Sequence, residues 1–292
     1  MKKCFRFLLT LQLAAGLFGA AGLRADSSLG PPKYDIPYGS NADAGAIAIV
    51  NGIRLYYEAY GQGEPLLLIH GNGGSIADLG NQIHFFAPNY RVIAADSRGH
   101  GRSELPPGRL TYEAMAEDLA ALLAQLNLKS VRVLGWSDGG ILGLLLAIHH
   151  PDLVGRLAIM GANLEPDGAY DWAERWVKKE NKRVDKMLAA GDHSSNWAAQ
   201  KQYLDLLGKQ PHIALKELRR IAAPTLVMAG DKDVIRAEHT LEIFENIPHA
   251  HLAIFPGATH MIPWQDPELF NRTVEKFFTR PFTRPDTKEI FQ

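Results

Sequence analysis

Residues 135–139, Gly-Trp-Ser-Asp-Gly, lie between two apolar segments of different character. The segment before them, residues 131–134, is short and rich in valine, as in a buried strand. The segment after them, residues 140–148, is apolar and long enough to form a buried helix. A turn this tight between a strand and a helix requires glycine two positions away on either side. Its strain lifts the Ser137 hydroxyl clear of the sheet. The sequence therefore predicts a nucleophile elbow with Ser137 as the nucleophile.

The partners that a nucleophilic serine needs are found in the C-terminal third of the chain. A serine hydroxyl requires a general base, and the base requires an orienting carboxylate, which here are expected in the order serine, acid, histidine. Asp233 follows a predicted strand at residues 224–229, and His260 follows one at residues 251–255. Because loops at the carboxyl ends of parallel strands share one edge of the sheet, we expect Ser137, Asp233 and His260 to meet there.

A glycine-rich loop near the N-terminus predicts donors for a developing oxyanion. Residues 66–69 are an all-apolar strand that runs into His70-Gly-Asn-Gly-Gly-Ser75. An oxyanion hole usually takes one backbone N–H from such a loop and one from the residue after the nucleophile. The predicted donors are therefore the backbone amides of Asn72 and Asp138. His70 beside the loop is expected to make structural hydrogen bonds rather than to act as a base.

These features, in this order, resemble the α/β-hydrolase superfamily from about residue 46 to about residue 280. The Asp-Ser-Arg-Gly-His-Gly-Arg-Ser loop at residues 96–103 is also common in that superfamily. The Gly-Trp-Ser-Asp-Gly-Gly form of the elbow is similar to that of the biphenyl hydrolase-like enzymes, which include valacyclovir hydrolases. Superfamily members that act on epoxides or haloalkanes carry aspartate at the nucleophile position. The serine at position 137 therefore argues against both of these chemistries.

Two aspartates remain open to more than one interpretation. Relatives with a Gly-x-x-Asp pattern after this strand usually orient the histidine with the last position, which implies Asp233. Asp231 would then hold the backbone of the turn. The resemblance to valacyclovir hydrolases implies that the Asp138 carboxylate receives the ammonium group of an amino-acid ester. Alternatively, Asp138 caps the following helix and touches no substrate.

Alternating strands and helices predict a mostly parallel sheet with helices on both faces, in core segments 46–162 and 221–280. Asn51-Gly52 between two short strand patterns predicts an antiparallel hairpin at its N-terminal edge. Residues 163–220 lack the alternation and are predicted to form a helical cap. In the cap, Trp172 and Trp176 are candidates for substrate binding, although helical spacing also suits packing onto the core.

The two ends of the chain are predicted to lie outside this domain. Residues 1–25 combine a basic start with an apolar stretch, which predicts a cleaved secretory signal peptide and a periplasmic or secreted protein. An uncleaved membrane anchor is the alternative, because the apolar run approaches spanning length. Residues 26–45 are predicted to be a linker and residues 281–292 a flexible tail. Once the signal peptide is removed, no stable membrane association is expected.

Composition limits the chemistry further. The chain has 292 residues, 46% of them hydrophobic and 22% charged, which is ordinary for one soluble α/β domain with an insertion. Its one cysteine, Cys4, lies in the predicted signal peptide. The sequence has no phosphate-binding glycine loop of the Walker type, no His-Glu-x-x-His and no basic stripe. We therefore expect no metal, no organic cofactor and no nucleic-acid partner.

The pattern as a whole predicts a serine hydrolase that cleaves small carboxylic esters through an acyl-enzyme, with α-amino-acid esters as a possible subset. The same Ser-His-Asp set also suits a lactonase, a carbon–carbon bond hydrolase or a cofactor-free perhydrolase. A ligand-binding protein with little turnover is a further alternative from a different class. The site specifies chemistry rather than substrate, so the sequence leaves these alternatives open.

Overall fold

The computed structural model describes residues 34–291. The predicted signal peptide and residues 26–33 of the predicted linker lie outside the described residues, so export stays a prediction. Within residues 34–291, no helix is both long and apolar enough to span a bilayer.

An eight-stranded sheet in the order β1-β2-β4-β3-β5-β6-β7-β8 forms the centre of the described chain. Strand β2 is antiparallel to β1 and β4, and the remaining pairs are parallel, as predicted. Asn51 and Gly52 both have positive φ, at 44° and 79°, which suits the two-residue turn of the hairpin. The strands are β1 (Gly45–Val50), β2 (Ile53–Tyr60), β3 (Glu64–Ile69), β4 (Tyr90–Ala95), β5 (Val131–Trp136), β6 (Val154–Met160), β7 (Thr225–Lys232) and β8 (Ala250–Thr259).

Helices cover both faces of this sheet, because its central strands are apolar on both sides. Leu67 and Ile69 of β3 belong to one buried cluster, whereas Leu66 and Leu68 belong to the other. The helices are α1 (Gly80–Phe86), α2 (Tyr112–Gln125), α3 (Asp138–His149), α4 (Asp171–Ala189), α5 (Trp197–Lys209), α6 (Leu215–Leu218), α7 (Ala237–Asn246), α8 (Ile262–Gln265) and α9 (Pro267–Thr279). Helices α2, α3 and α7 contribute to the first cluster, and α1, α8 and α9 contribute to the second. The predicted α/β-hydrolase architecture is thereby confirmed.

Between β6 and β7 the described chain contains helices and no strand of the sheet, in the segment predicted to be a cap. Helices α4 and α5 share a small apolar cluster of their own, built on Val184, Trp197 and Leu204. Trp176 packs against this cluster. The segment also joins the core, because residue Ala169 bridges Ile235 in the loop after β7.

Where they are described, the predicted linker and the predicted tail each contact the domain through aromatic side chains. The Tyr34 hydroxyl donates to Asn81 Oδ1 at 2.8 Å, and Tyr38 is buried in the second cluster. At the other end, the ring of Phe282 stacks on His251 of the edge strand β8, with centroids 4.6 Å apart. Aromatic side chains that bury their faces on the core hold these segments in place.

Glu58 fastens the N-terminal segment to β2. It is completely buried, and its two oxygens accept hydrogen bonds from four groups. The hydroxyls of Tyr56 and Tyr60 each donate at 2.7 Å, and the backbone N–H groups of Gly39 and Asn41 each donate at 2.9 Å.

We predict that Glu58→Ala lowers the free energy of unfolding by about 3 kcal/mol or more, because several buried donors lose their acceptor. Urea unfolding followed by circular dichroism measures the change. Glu58→Gln keeps an acceptor oxygen and the side-chain shape, so its loss should be clearly smaller. Equal losses in the two variants would show that the hydrogen bonds are not what stabilises this contact.

Candidate active site

Ser137 occupies the turn between β5 and α3 with φ 58° and ψ −119°, a conformation that non-glycine residues rarely adopt. The neighbouring glycines make this turn possible. A Cβ on Gly135 would lie 2.0 Å from the carbonyl oxygen of Gly139, and one on Gly139 would lie 2.1 Å from that of Ile69. The sequence pattern thus reflects backbone atoms that leave no room for a side chain.

The loops after β5, β7 and β8 bring the three predicted residues together. His260 Nε2 lies 2.9 Å from Ser137 Oγ, and His260 Nδ1 lies 2.7 Å from Asp233 Oδ1. An imidazole in this position can take a proton from the hydroxyl while the carboxylate holds its other nitrogen. The arrangement suits an activated serine nucleophile.

The environment of Asp233 keeps its carboxylate charged. Burial by itself would raise the pKa of Asp233. The charge and hydrogen bond of His260 outweigh burial, together with the backbone N–H groups of Ile235 and Gly230, so the pKa lies below its ordinary value. A charged Asp233 can then stabilise an imidazolium on His260.

Asp231 does not contact His260. Its carboxylate accepts a hydrogen bond from the backbone N–H of Gly257 at 2.9 Å. This contact joins the ends of β7 and β8, so Asp231 holds the neighbouring strand rather than the backbone of its own turn, which was the prediction. The structure thus places Asp233, rather than Asp231, at the histidine.

Two residues that support His260 were missed by the sequence analysis. The carbonyl oxygen of His260 accepts a hydrogen bond from Trp136 Nε1 at 2.9 Å. Gly161, with φ 63°, follows β6, and a Cβ there would lie 2.6 Å from the imidazole. A glycine directly after a central strand was the available sequence signal, because such a position suggests close approach of another group.

The glycine-rich loop after β3 lies against the elbow. A Cβ on Gly71 would be 3.1 Å from the Cβ of Ser137. His70 is occupied structurally, since its Nε2 accepts from the backbone N–H of Ser97 at 3.0 Å and its Nδ1 lies 2.7 Å from the Gly71 carbonyl. Burial lowers the pKa of His70 to about 4, so it stays neutral.

The two predicted oxyanion donors, Asn72 and Asp138, lie on either side of this contact between loop and elbow. Asp138 is the first residue of α3, where a backbone N–H has no acceptor within its own helix. Among the turn and loop hydrogen bonds of residues 34–291, none uses the backbone N–H of Asn72. Both N–H groups are therefore available to an oxyanion.

The Asp138 side chain is buried and faces neutral donors. Its Oδ2 accepts from Asn72 Nδ2 at 2.9 Å, and the Tyr112 hydroxyl also favours its charged form. Burial outweighs these contacts and the charge of His260, and it raises the pKa of Asp138 to about 6. In the described part of the chain, no backbone N–H of α3 donates to this carboxylate, so the helix-capping interpretation finds no hydrogen bond to support it.

A cavity of about 720 Å³ opens at Ser137 and His260 and extends beneath the cap. Asp138, Asn72 and Trp176 are among the residues that line it. Trp172 is not, and 43% of its surface is exposed, so the prediction that it binds substrate is corrected. The buried residues of α4 are Ala173, Val177 and Val184. Trp172, in the first turn of the same helix, is not one of them.

Arg98 and His100, in the loop at residues 96–103, have structural partners. Arg98 forms a two-bond ion pair with the buried Asp118, at 2.6 Å for each bond. His100 stacks on Tyr203 of α5, with centroids 4.3 Å apart. Across residues 34–291, no group of three or more His, Cys, Asp or Glu is arranged to hold a metal ion.

Comparison with known proteins identifies the class. The alpha/beta hydrolase fold family matches residues 64–196. The human serine hydrolase BPHL is 30% identical over 257 residues, which cover 82% of this chain and 88% of that protein. The 3-oxoadipate enol-lactonase 2 of Acinetobacter baylyi is 28% identical over 258 residues, or 78% and 94% of the two chains.

Structural similarity agrees with this result. A hydrolase of solved structure from Pseudomonas aeruginosa PA01 has a TM-score of 0.69 at 25% identity, and the match covers 82% of this chain and 100% of that one. The chain belongs to the α/β-hydrolase family of enzymes. The resemblance to biphenyl hydrolase-like enzymes is likewise confirmed by the human relative.

We predict that Gly139→Ala lowers the free energy of unfolding by about 3 kcal/mol, because its Cβ must displace the backbone of β3. Thermal unfolding measures the loss. Gly208→Ala in α5 is the matched control, since its Cβ would meet only a methyl of Val177 at 3.2 Å. A Gly139→Ala protein as stable as the wild type would contradict the close contact.

Proposed function

We propose that this enzyme hydrolyses small carboxylic esters through an acyl-enzyme formed on Ser137. The observation that carries the proposal is the hydrogen-bonded series Ser137, His260 and Asp233, with lengths of 2.9 and 2.7 Å, at the wall of a cavity large enough for a small molecule. All three side chains come from loops at the carboxyl ends of strands, which hold them rigidly with respect to one another.

In the first step, His260 Nε2 accepts the Ser137 proton as Oγ attacks the ester carbonyl carbon. The carbonyl electrons move to oxygen, where the backbone N–H groups of Asn72 and Asp138 stabilise the negative charge. Asp233 stabilises the imidazolium that forms and keeps the Nδ1 proton in place.

Collapse of this intermediate breaks the bond to the alkoxy oxygen. His260 gives its proton to that oxygen, so the alcohol leaves and the acyl group remains on Ser137. A water molecule then repeats the sequence. Its oxygen bonds to the acyl carbon as His260 takes its proton, the bond from that carbon to Ser137 Oγ breaks, and His260 returns the proton to Oγ as the acid leaves. The helical cap limits the access of bulk water to these steps.

A fluorophosphonate probe tests the proposal before any substrate is known. We predict that the probe labels Ser137 alone, as mapped by mass spectrometry, and that Ser137→Ala abolishes labelling. Asp233→Asn should slow labelling by about 10³- to 10⁴-fold, because the histidine then adopts the wrong tautomer. Asp231→Asn, which alters only the contact with Gly257, is the matched control and should label at close to the wild-type rate. An unlabelled Ser137, or equal effects of the two aspartates, would refute this assignment.

For substrate class, we propose α-amino-acid esters, with the Asp138 carboxylate as the receptor of the ammonium group. Its carboxylate lines the cavity next to the nucleophile, and no cationic side chain within residues 34–291 forms an ion pair with it. A buried carboxylate without a counterion is stabilised when a substrate supplies one. The resemblance of the elbow to that of the valacyclovir hydrolases implies the same class of substrate.

Asp138→Asn separates this class from simple esters. We predict that it lowers kcat/KM for valine benzyl ester by roughly 10- to 100-fold, or about 1.4–2.7 kcal/mol. Benzyl isovalerate differs mainly in lacking the amine, and its kcat/KM should stay constant or rise, because a negative charge near the oxyanion is removed. An equal loss of kcat/KM for both esters would contradict the proposed role of Asp138 in binding the ammonium group.

The pH dependence of the same pair gives an independent check. Asp138 becomes neutral as pH falls through its pKa of about 6, so the preference for the amino ester should decline below that pH. Effects of pH that are common to the two esters cancel in the ratio of their kcat/KM values. In the Asp138→Asn protein, the ratio of kcat/KM for valine benzyl ester to kcat/KM for benzyl isovalerate should not change with pH over this range.

Lactone hydrolysis is the second candidate, favoured by the similarity to the 3-oxoadipate enol-lactonase 2 of Acinetobacter baylyi. The same two steps open a lactone, except that the alcohol stays attached to the acyl group. A panel of matched lactones and open-chain esters distinguishes the two functions. A kcat/KM that is consistently higher for lactones would replace the ester proposal with a lactonase.

A further inference from the structure

A second carboxylate, that of Asp78, lines the cavity of Ser137. Its Oδ2 accepts a hydrogen bond from the backbone N–H of Ser75 at 2.7 Å. In the described chain, no group donates to its other oxygen, Oδ1, and no lysine, arginine or histidine forms an ion pair with it. One oxygen therefore stabilises the loop, and the other is available to a group inside the cavity.

Two tryptophans line the same cavity as Asp78, and one of them is hydrogen-bonded to its backbone. Trp264 Nε1 donates to the backbone carbonyl of Asp78 at 2.8 Å, which holds the indole at that residue. Trp136 packs edge-to-face against Trp264, with centroids 5.1 Å apart and planes at 76°. Both indoles line the cavity. Contacts through Trp264 therefore link Asp78 and Trp136 within the lining of one cavity.

This part of the wall differs from the surroundings of Asp138. Asp138 contacts Asn72 and Tyr112, whereas Asp78 contacts Ser75 and Trp264. The lysines that line the cavity all belong to the cap helices α4 and α5. Asp78 and Asp138 are thus the acidic residues that the core contributes to the lining. The cap segment contributes its lysines and four further acidic residues, Glu165, Asp167, Glu174 and Asp205.

We propose that Asp78, Trp264 and Trp136 form a subsite for an organic cation, specifically a quaternary alkylammonium group carried by the substrate. Indole rings attract such cations through the negative charge of their π faces, and a carboxylate supplies the counter-charge. Alkyl groups on the nitrogen suit apolar indole surface better than a hydrated ammonium does. This subsite rests on the proposed function in one respect, that it opens into the cavity where Ser137 acts.

Burial supports the need for a counterion. It raises the pKa of Asp78 to about 6, although the hydrogen bond from Ser75 opposes the shift. Near pH 7.5 the carboxylate is charged in a place where charge is unfavourable. A bound cation offsets this cost, whereas the hydrogen bond to Ser75 alone does not.

The experiment compares acetylcholine with 3,3-dimethylbutyl acetate, which carries carbon in place of the charged nitrogen. We predict that wild-type kcat/KM is at least about tenfold higher for acetylcholine, and that Asp78→Asn reduces this ratio to near one. Asparagine still accepts the hydrogen bond from Ser75, so thermal unfolding should show a folded protein. Asp205→Asn, which removes a carboxylate of the same cavity lining that is already paired with Lys209 at 3.0 Å, is the matched control and should keep the ratio. A wild-type ratio near one, or a ratio unchanged in Asp78→Asn, overturns the subsite.

A binding measurement separates failure of the subsite from failure of the ester hydrolase. Benzyltrimethylammonium is titrated into wild-type, Ser137→Ala and Asp78→Asn proteins by calorimetry. Binding to the first two, weakened at least about tenfold in Asp78→Asn, supports the subsite even if no ester is cleaved. Absence of binding to the wild type, or equal binding to all three, overturns it even if Ser137 is labelled by the fluorophosphonate.

Discussion

The close approach of the turn at Ser137 to the ends of β3 and β5 is the constraint on which the site depends. Gly135 and Gly139 have no space for a Cβ, because backbone carbonyls lie about 2 Å from where it would be. The contact holds Ser137 at positive φ, beside the glycine-rich loop and within 2.9 Å of His260. Its strain is balanced by a sheet whose central strands are apolar on both faces.

Three carboxylates close to this turn show how surroundings set charge. Asp233 is buried, yet its pKa is lowered, because His260 and two backbone N–H groups favour the charged form. Asp138 and Asp78 have fewer charge-stabilising partners, and burial raises the pKa of each to about 6. The first carboxylate is satisfied within the protein, whereas the other two are those for which we propose a cation from the substrate.

The cap is fastened to the site at more than one point. Asn72 Nδ2, which bonds Asp138, also donates to the carbonyl oxygen of Tyr203 in α5 at 3.1 Å. Ala169, just before α4, bridges Ile235 in the loop that carries Asp233. A shift of the cap would therefore move contacts of both Asn72 and the loop that carries Asp233. The cap thus contacts the surroundings of the nucleophile in addition to lining the cavity.

Local patterns in the sequence were sufficient for the elbow, the strand–helix alternation and the candidate residues at strand ends, because tight turns and periodic burial leave their mark on neighbouring residues. The sequence alone did not show that Trp172 lies outside the cavity lining or that Gly161 lies beside His260. It also did not show that Tyr38, in residues 34–45, is buried in the core. Nor could it show that Asp78 and Trp264, 186 residues apart, are hydrogen-bonded. These facts depend on contacts between distant segments, and only tertiary packing decides which distant groups touch.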